Sequence, residues 1–119
     1  MRIPLSALFA LCLAAPAAAQ GLSGAGVEGN WGCRAIIDGT KAGLLTIYSG
    51  SYGYASANMG SAASGSGSVE MASNGVTFLD GGLVTGAGIT TAILGFDAEG
   101  KDVLQLYTAE KNVLTCTPR

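Results

Sequence analysis

Apolar and polar residues alternate with a period of two along most of the chain, in short runs separated by turn chemistry, which is the pattern of half-buried β-strands. In the first run Trp31, Cys33, Ala35 and Ile37 share one face, and Gly32, Arg34, Ile36 and Asp38 share the other. Further runs cover residues 43–49, 52–56, 68–71, 76–79, 89–96, 103–108 and 113–117, so eight strands are predicted. The joints carry residues that tolerate tight reversals: Asp38-Gly39-Thr40-Lys41, Ser49-Gly50-Ser51, Asn74-Gly75, Asp97 to Gly100 and Glu110 to Asn112. The inward set expected from this phasing is Trp31, Ala35 and Ile37, then Leu45 and Ile47, Val69 and Met71, Val76 and Phe78, Ile93, Leu104 and Leu106, and Leu114.

Three stretches break the alternation. Residues 57–67 (ANMGSAASGSG) are small and polar, bury too little to offset their ordering entropy, and are expected to form a flexible loop. Residues 80–88 form a second loop, with Leu83 and Val84 tucked against one end of the fold. Residues 20–30 (QGLSGAGVEGN) lack periodicity and read as a flexible N-terminal tail. They contain Gly24-x-Gly26-x-x-Gly29, but a phosphate-binding loop of that pattern needs a strand before it and a helix after it. Here a strand follows, and the match is rejected. No segment shows capped helical spacing, although residues 62–71 can be forced into a helix.

Residues 1–19 read as a secretory signal: Arg2, an apolar run over residues 5–15 too short to cross a bilayer, and Ala17-Ala18-Ala19 as the cleavage site. Cys12 goes with it. The domains are then the signal (1–19), the tail (20–30) and one strand-only domain (31–119). Cleavage leaves five basic and eight acidic side chains, a net charge of −3, which argues against nucleic acid and against anionic membrane surfaces as partners. All 19 glycines lie beyond the signal, which suits many tight turns.

Cys33 and Cys116 are the two cysteines left, in an oxidising compartment, and a disulfide is the natural reading. Closing so long a loop stabilises a fold by about 4–5 kcal/mol on the chain-entropy argument. A bridge between the first and last strands requires a sheet whose ends meet. The fold class expected is all-β, a small antiparallel up-and-down eight-stranded barrel, with a β-sandwich as the alternative.

The opening Asn30-Trp31-Gly32-Cys33 and the closing Cys116-Thr117-Pro118-Arg119 give the chain a resemblance to small secreted lipocalin-like barrels of Gram-negative bacteria, many without assigned function. The chain is similar, more distantly, to secreted inhibitors of metalloproteases, which insert a flexible N-terminal segment into the protease cleft. The resemblance implies that residues 20–30 would play that part. In those inhibitors the bridge lies within the first part of the barrel; here it would join the two ends.

Little in the sequence points to catalysis. There is no histidine, and the lysines Lys41, Lys101 and Lys111 sit at turns, so a serine or cysteine nucleophile has no evident base. No enzymatic activity, cofactor or metal is expected. Asp97-x-Glu99-Gly100-x-Asp102 faintly suggests a calcium loop but lacks its bidentate glutamate, and a charged hairpin turn explains it. Tyr48, Tyr52 and Tyr54, on adjacent strands, are the candidate binding residues, as an exposed recognition patch. The function expected is a periplasmic or secreted binding module for an unknown protein or envelope component, with no membrane anchor once the signal is removed. Protease inhibition through the tail, or carriage of a small apolar ligand, are the alternatives; a small ligand is not favoured, because the interior should be packed.

Overall fold

The computed structural model describes residues 25–119; the signal, Cys12 and residues 20–24 of the expected tail lie outside the described residues. Eight antiparallel strands run β1 (Gly29–Ala35), β2 (Lys41–Tyr48), β3 (Ser51–Ser56), β4 (Gly65–Ala72), β5 (Gly75–Phe78), β6 (Ile89–Phe96), β7 (Asp102–Thr108) and β8 (Asn112–Pro118). Each pairs with its sequence neighbours, and β1 pairs with β8, so the sheet closes on itself. At that seam Cys33 faces Cys116 in register, and the two are disulfide-bonded across 83 positions of sequence. Closure and the bridge are both as the cysteine pair implied.

The interior is filled by side chains: Trp31, Leu45, Ile47, Val69, Val76, Phe78, Leu104 and Leu106 are all buried, with Met71 and Leu114 half-buried against them. The disulfide itself is inside, both cysteines being almost fully buried. Three expected core residues are not in that cluster, one of them Ala35, half-buried as the last residue of β1. Ile37 is 90% exposed, because β1 stops at Ala35. The amide of Ala35 donates to the carbonyl of Thr40 and Gly39 donates back to Ala35, which closes a turn over residues 36–39. Ile93 also faces outward, with Ala92 and Leu94 pointing in opposite Leu106 and Leu104. The apolar run at 92–94 offers both parities, and pairing with β7 decides between them.

Both ends of the barrel are covered by short elements that the alternation does not reveal. At one end a 3-10 turn, Ala25–Val27, carries Val27 into the core with no exposed surface. The indole Nε1 of Trp31 donates to the Val27 carbonyl at 2.9 Å, and Glu28 accepts from the Ser49 amide at 3.0 Å. Residues 25–30 are therefore barrel floor and wall, and the tail expected over 20–30 is not a free tail across that part. At the other end a helix, α1 (Gly82–Ala87), buries Leu83 completely. Gly88 ends it in the left-handed conformation at φ 71°, donating to the carbonyls of Leu83 and Val84.

The loop expected to be flexible over residues 57–67 is largely tied down. Residues 65–67 belong to β4. Residues 61–64 carry backbone turns, and α1 lies directly on them. A Cβ on Gly86 would sit 2.2 Å from the Ala62 carbonyl oxygen, and one on Gly82 would sit 2.4 Å from that of Ser64. Small residues there permit backbone-to-backbone contact, which composition alone reads as disorder.

Candidate functional site

The three tyrosines do not form a surface patch. Tyr52 and Tyr54 are buried, 3% and 7% exposed, and only Tyr48 is outside at 63%. The register explains the split. Ser49-Gly50 is a two-residue hairpin turn, with φ 46° and 81°, that places Ile47 opposite Tyr52 and Leu45 opposite Tyr54. Once Leu45 and Ile47 are taken as inward, both tyrosines must follow. That signal was present in the turn length.

Inside, the two rings cover glycines. The Tyr54 ring lies where a Cβ on Gly43 would be, 2.6 Å from its hydroxyl, and the Tyr52 ring lies over Gly67 in the same way at 2.7 Å. Tyr52 also meets Phe78 edge-on, ring centres 5.0 Å apart. Its hydroxyl donates to the Asp80 carbonyl at 2.8 Å and accepts from the Leu83 amide at 3.1 Å, so it pins α1 to the barrel. Burial pushes the Tyr52 hydroxyl above its ordinary pKa; the Leu83 amide works against this and the charge of Asp80 adds to it. Burial alone pushes Tyr54 up.

Two depressions lie at or beside the α1 end. One is a cleft of about 360 Å³ in the mouth, between the 57–64 loop, α1 and β8. Ala42, Ala63, Leu83, Ile89 and Leu114 line it, with Lys41 at the rim, and Tyr54 lies in its wall. Among the described residues the Tyr54 hydroxyl has no hydrogen-bond partner. The other is a groove of about 450 Å³ on the outer wall of β8, β1, β2 and β3. One cross-strand row forms its floor: Thr117 pairs with Gly32, Gly32 with Leu44, and Leu44 with Ala55. Arg34, Lys41 and Arg119 stand along its sides.

A β-bulge builds the charged side of the groove. Cys33 pairs with Gly43, but the next residue, Arg34, pairs with Lys41, so Ala42 is the extra residue on β2. The slip lets Ala42 pack against the core and turns Lys41 to the same outer face as Arg34. The Arg34 guanidinium is held by a 2.8 Å bond to the Gly39 carbonyl. Arg119 lies over Gly32, where a Cβ would be 2.7 Å from its Cδ, and its amide donates to Asn30. Of the five Lys and Arg side chains among residues 25–119, three line this groove; of the eight Asp and Glu side chains, none does. The one ion pair among the described residues is Lys101–Glu99, in the β6–β7 turn.

The acidic β6–β7 turn is a hairpin cap. Asp97 accepts from the Glu99 amide at 2.8 Å and the Lys101 amide at 3.0 Å, and these backbone bonds, Lys101 first, hold its pKa below the usual carboxylate value. No group of three metal-ligating side chains occurs among the described residues. Set against protein-family models, curated proteins and solved structures, the chain matches none.

Proposed function

We propose that this chain is a non-enzymatic binding module of the periplasm or the extracellular space, acting through the outer wall of its barrel on a protein or envelope component. The cations gathered in the β8–β1–β2–β3 groove carry this reading, because an acidic protein concentrates positive charge on a wall stapled by its disulfide. The disulfide fits an oxidising compartment, and the likeness of the chain ends to lipocalin-like secreted barrels supports the same location. To test it, oxidised protein is incubated with separated membrane and cell-wall fractions. Co-sedimentation with one of them, lost in an Arg34→Gln/Arg119→Gln variant and retained in Lys111→Gln, is expected. Equal retention of all three proteins, or of none, would refute it.

A second reading, carriage of a small apolar ligand, is favoured by the mouth cleft and by the Tyr54 hydroxyl in its wall, unpartnered among the described residues. A ligand there should perturb the Tyr54 ring signals and lose affinity in Tyr54→Phe; saturation that leaves those signals unmoved removes this reading. Protease inhibition would rest on residues 20–24, since residues 25–30 are built into the barrel.

A further inference from the structure

We infer that the outer groove is a phosphate site, taking a molecule with a phosphate monoester or diphosphate head and a compact apolar body. This rests on the reading of the outer wall as the binding surface and names the chemistry it recognises. The bulge places Arg34 and Lys41 directly opposite one another, and like charges so placed on a sheet destabilise it. Neither has a carboxylate within ion-pair distance among the described residues, and Asp38, the nearest acid in sequence, is committed to Thr40, accepting from its amide at 3.0 Å and its hydroxyl at 2.8 Å. The fold thus holds an unfavourable pair that a bound anion would relieve.

The third cation is placed to share that anion. Arg34 and Lys41 stand on adjacent strands, about 5 Å apart at the backbone, and Gly32, beneath Arg119, lies about 7 Å further along β1. All three side chains line the one groove. A planar carboxylate matches a single guanidinium fork, whereas a tetrahedral phosphate offers terminal oxygens to several partners at once. The Gly39 carbonyl already orients the Arg34 guanidinium, so part of the ordering cost is met before the ligand arrives. Leu44, 47% exposed, and Ala55 continue the floor as an apolar surface for the body of the ligand. The volume of about 450 Å³ suits a small molecule or a headgroup.

The test is an amide NMR titration of the oxidised protein at low salt, with pyrophosphate, phenyl phosphate and acetate. Both phosphates should move the signals of Gly32, Arg34, Leu44 and Thr117, and phenyl phosphate should also move Ala55. Arg34→Gln and Lys41→Gln should each weaken binding at least tenfold, Lys111→Gln should leave it unchanged, and acetate should bind at least tenfold more weakly. Shifts spread evenly over Lys101 and Lys111, affinities unaltered in the groove variants, or acetate binding as tightly as phosphate would overturn the assignment. Vesicles carrying phosphate-monoester lipids, set against zwitterionic ones, separate the sources. Co-sedimentation competed by pyrophosphate assigns the phosphate to a lipid headgroup; titration without co-sedimentation assigns it to a free solute. If envelope-fraction binding needs the groove cations while pyrophosphate does not bind, the phosphate assignment fails and the binding surface stands. If pyrophosphate binds in the groove but no envelope fraction is held, the phosphate assignment stands and binding to an envelope component fails.

Discussion

Tyr52 does at one position what several residues share elsewhere: its ring fills the space over Gly67, and its hydroxyl satisfies a carbonyl of one loop and an amide of α1. Tyr52→Phe keeps the ring and strands both partners, so it should cost about 1–3 kcal/mol in urea unfolding. Gly67→Ala should be worse, because the new Cβ would meet the Asp80 carbonyl oxygen at 2.4 Å and the Tyr52 ring together; loss of near-UV circular dichroism checks it. For Asp38 and Asp97 the folded pKa lies below the ordinary aspartate value of 3.8, through backbone amides first in each case. Their contribution to stability is therefore present above that value and is lost as pH falls through the lower folded values. Carboxyl NMR titrations of both, with midpoints below 3.8, are the expected result. The pairing of these tyrosines on one face was legible from their spacing. Which face was not, until the two-residue turn was used to carry the phase of β2 into β3.

Strands were legible where alternation was uninterrupted, and their joints where Asp or Asn stood beside Gly. Elements of one or two turns were not. α1 has six residues, two of them glycine, and buries only Leu83, so no helical period exists to be seen. The 3-10 turn likewise shows a single large apolar residue, Val27. Their importance lies in what they cover, and Leu83→Ala should cost about 2–5 kcal/mol by opening a cavity at the barrel mouth. The bulge in β2 was equally invisible, since only pairing with β1 reveals that Ala42 is extra. It puts two positive charges face to face, so Lys41→Gln should slightly raise the melting midpoint of the ligand-free protein at low salt, and added salt should shrink the gain. A fall in the midpoint would mean that Lys41 contributes packing that outweighs its charge.

Across the whole molecule the architecture was the most legible feature, because two cysteines admit one bridge and a strand-only chain bridged at its ends must curl. Replacing both, Cys33→Ser with Cys116→Ser, should lower unfolding free energy by about 2–5 kcal/mol, and unfolding of the wild type under reducing conditions should show the same loss. The β1–β8 pairing also dictates an order of events during synthesis. Its partner strand is the last to be made, so β1 keeps one margin of unpaired amides and carbonyls while the rest of the ribbon assembles. An intermediate of that kind invites pairing between neighbouring chains. An oxidant that captured Cys33 early would lock the ribbon open, whereas one acting after the eighth strand arrives would find the two thiols already side by side.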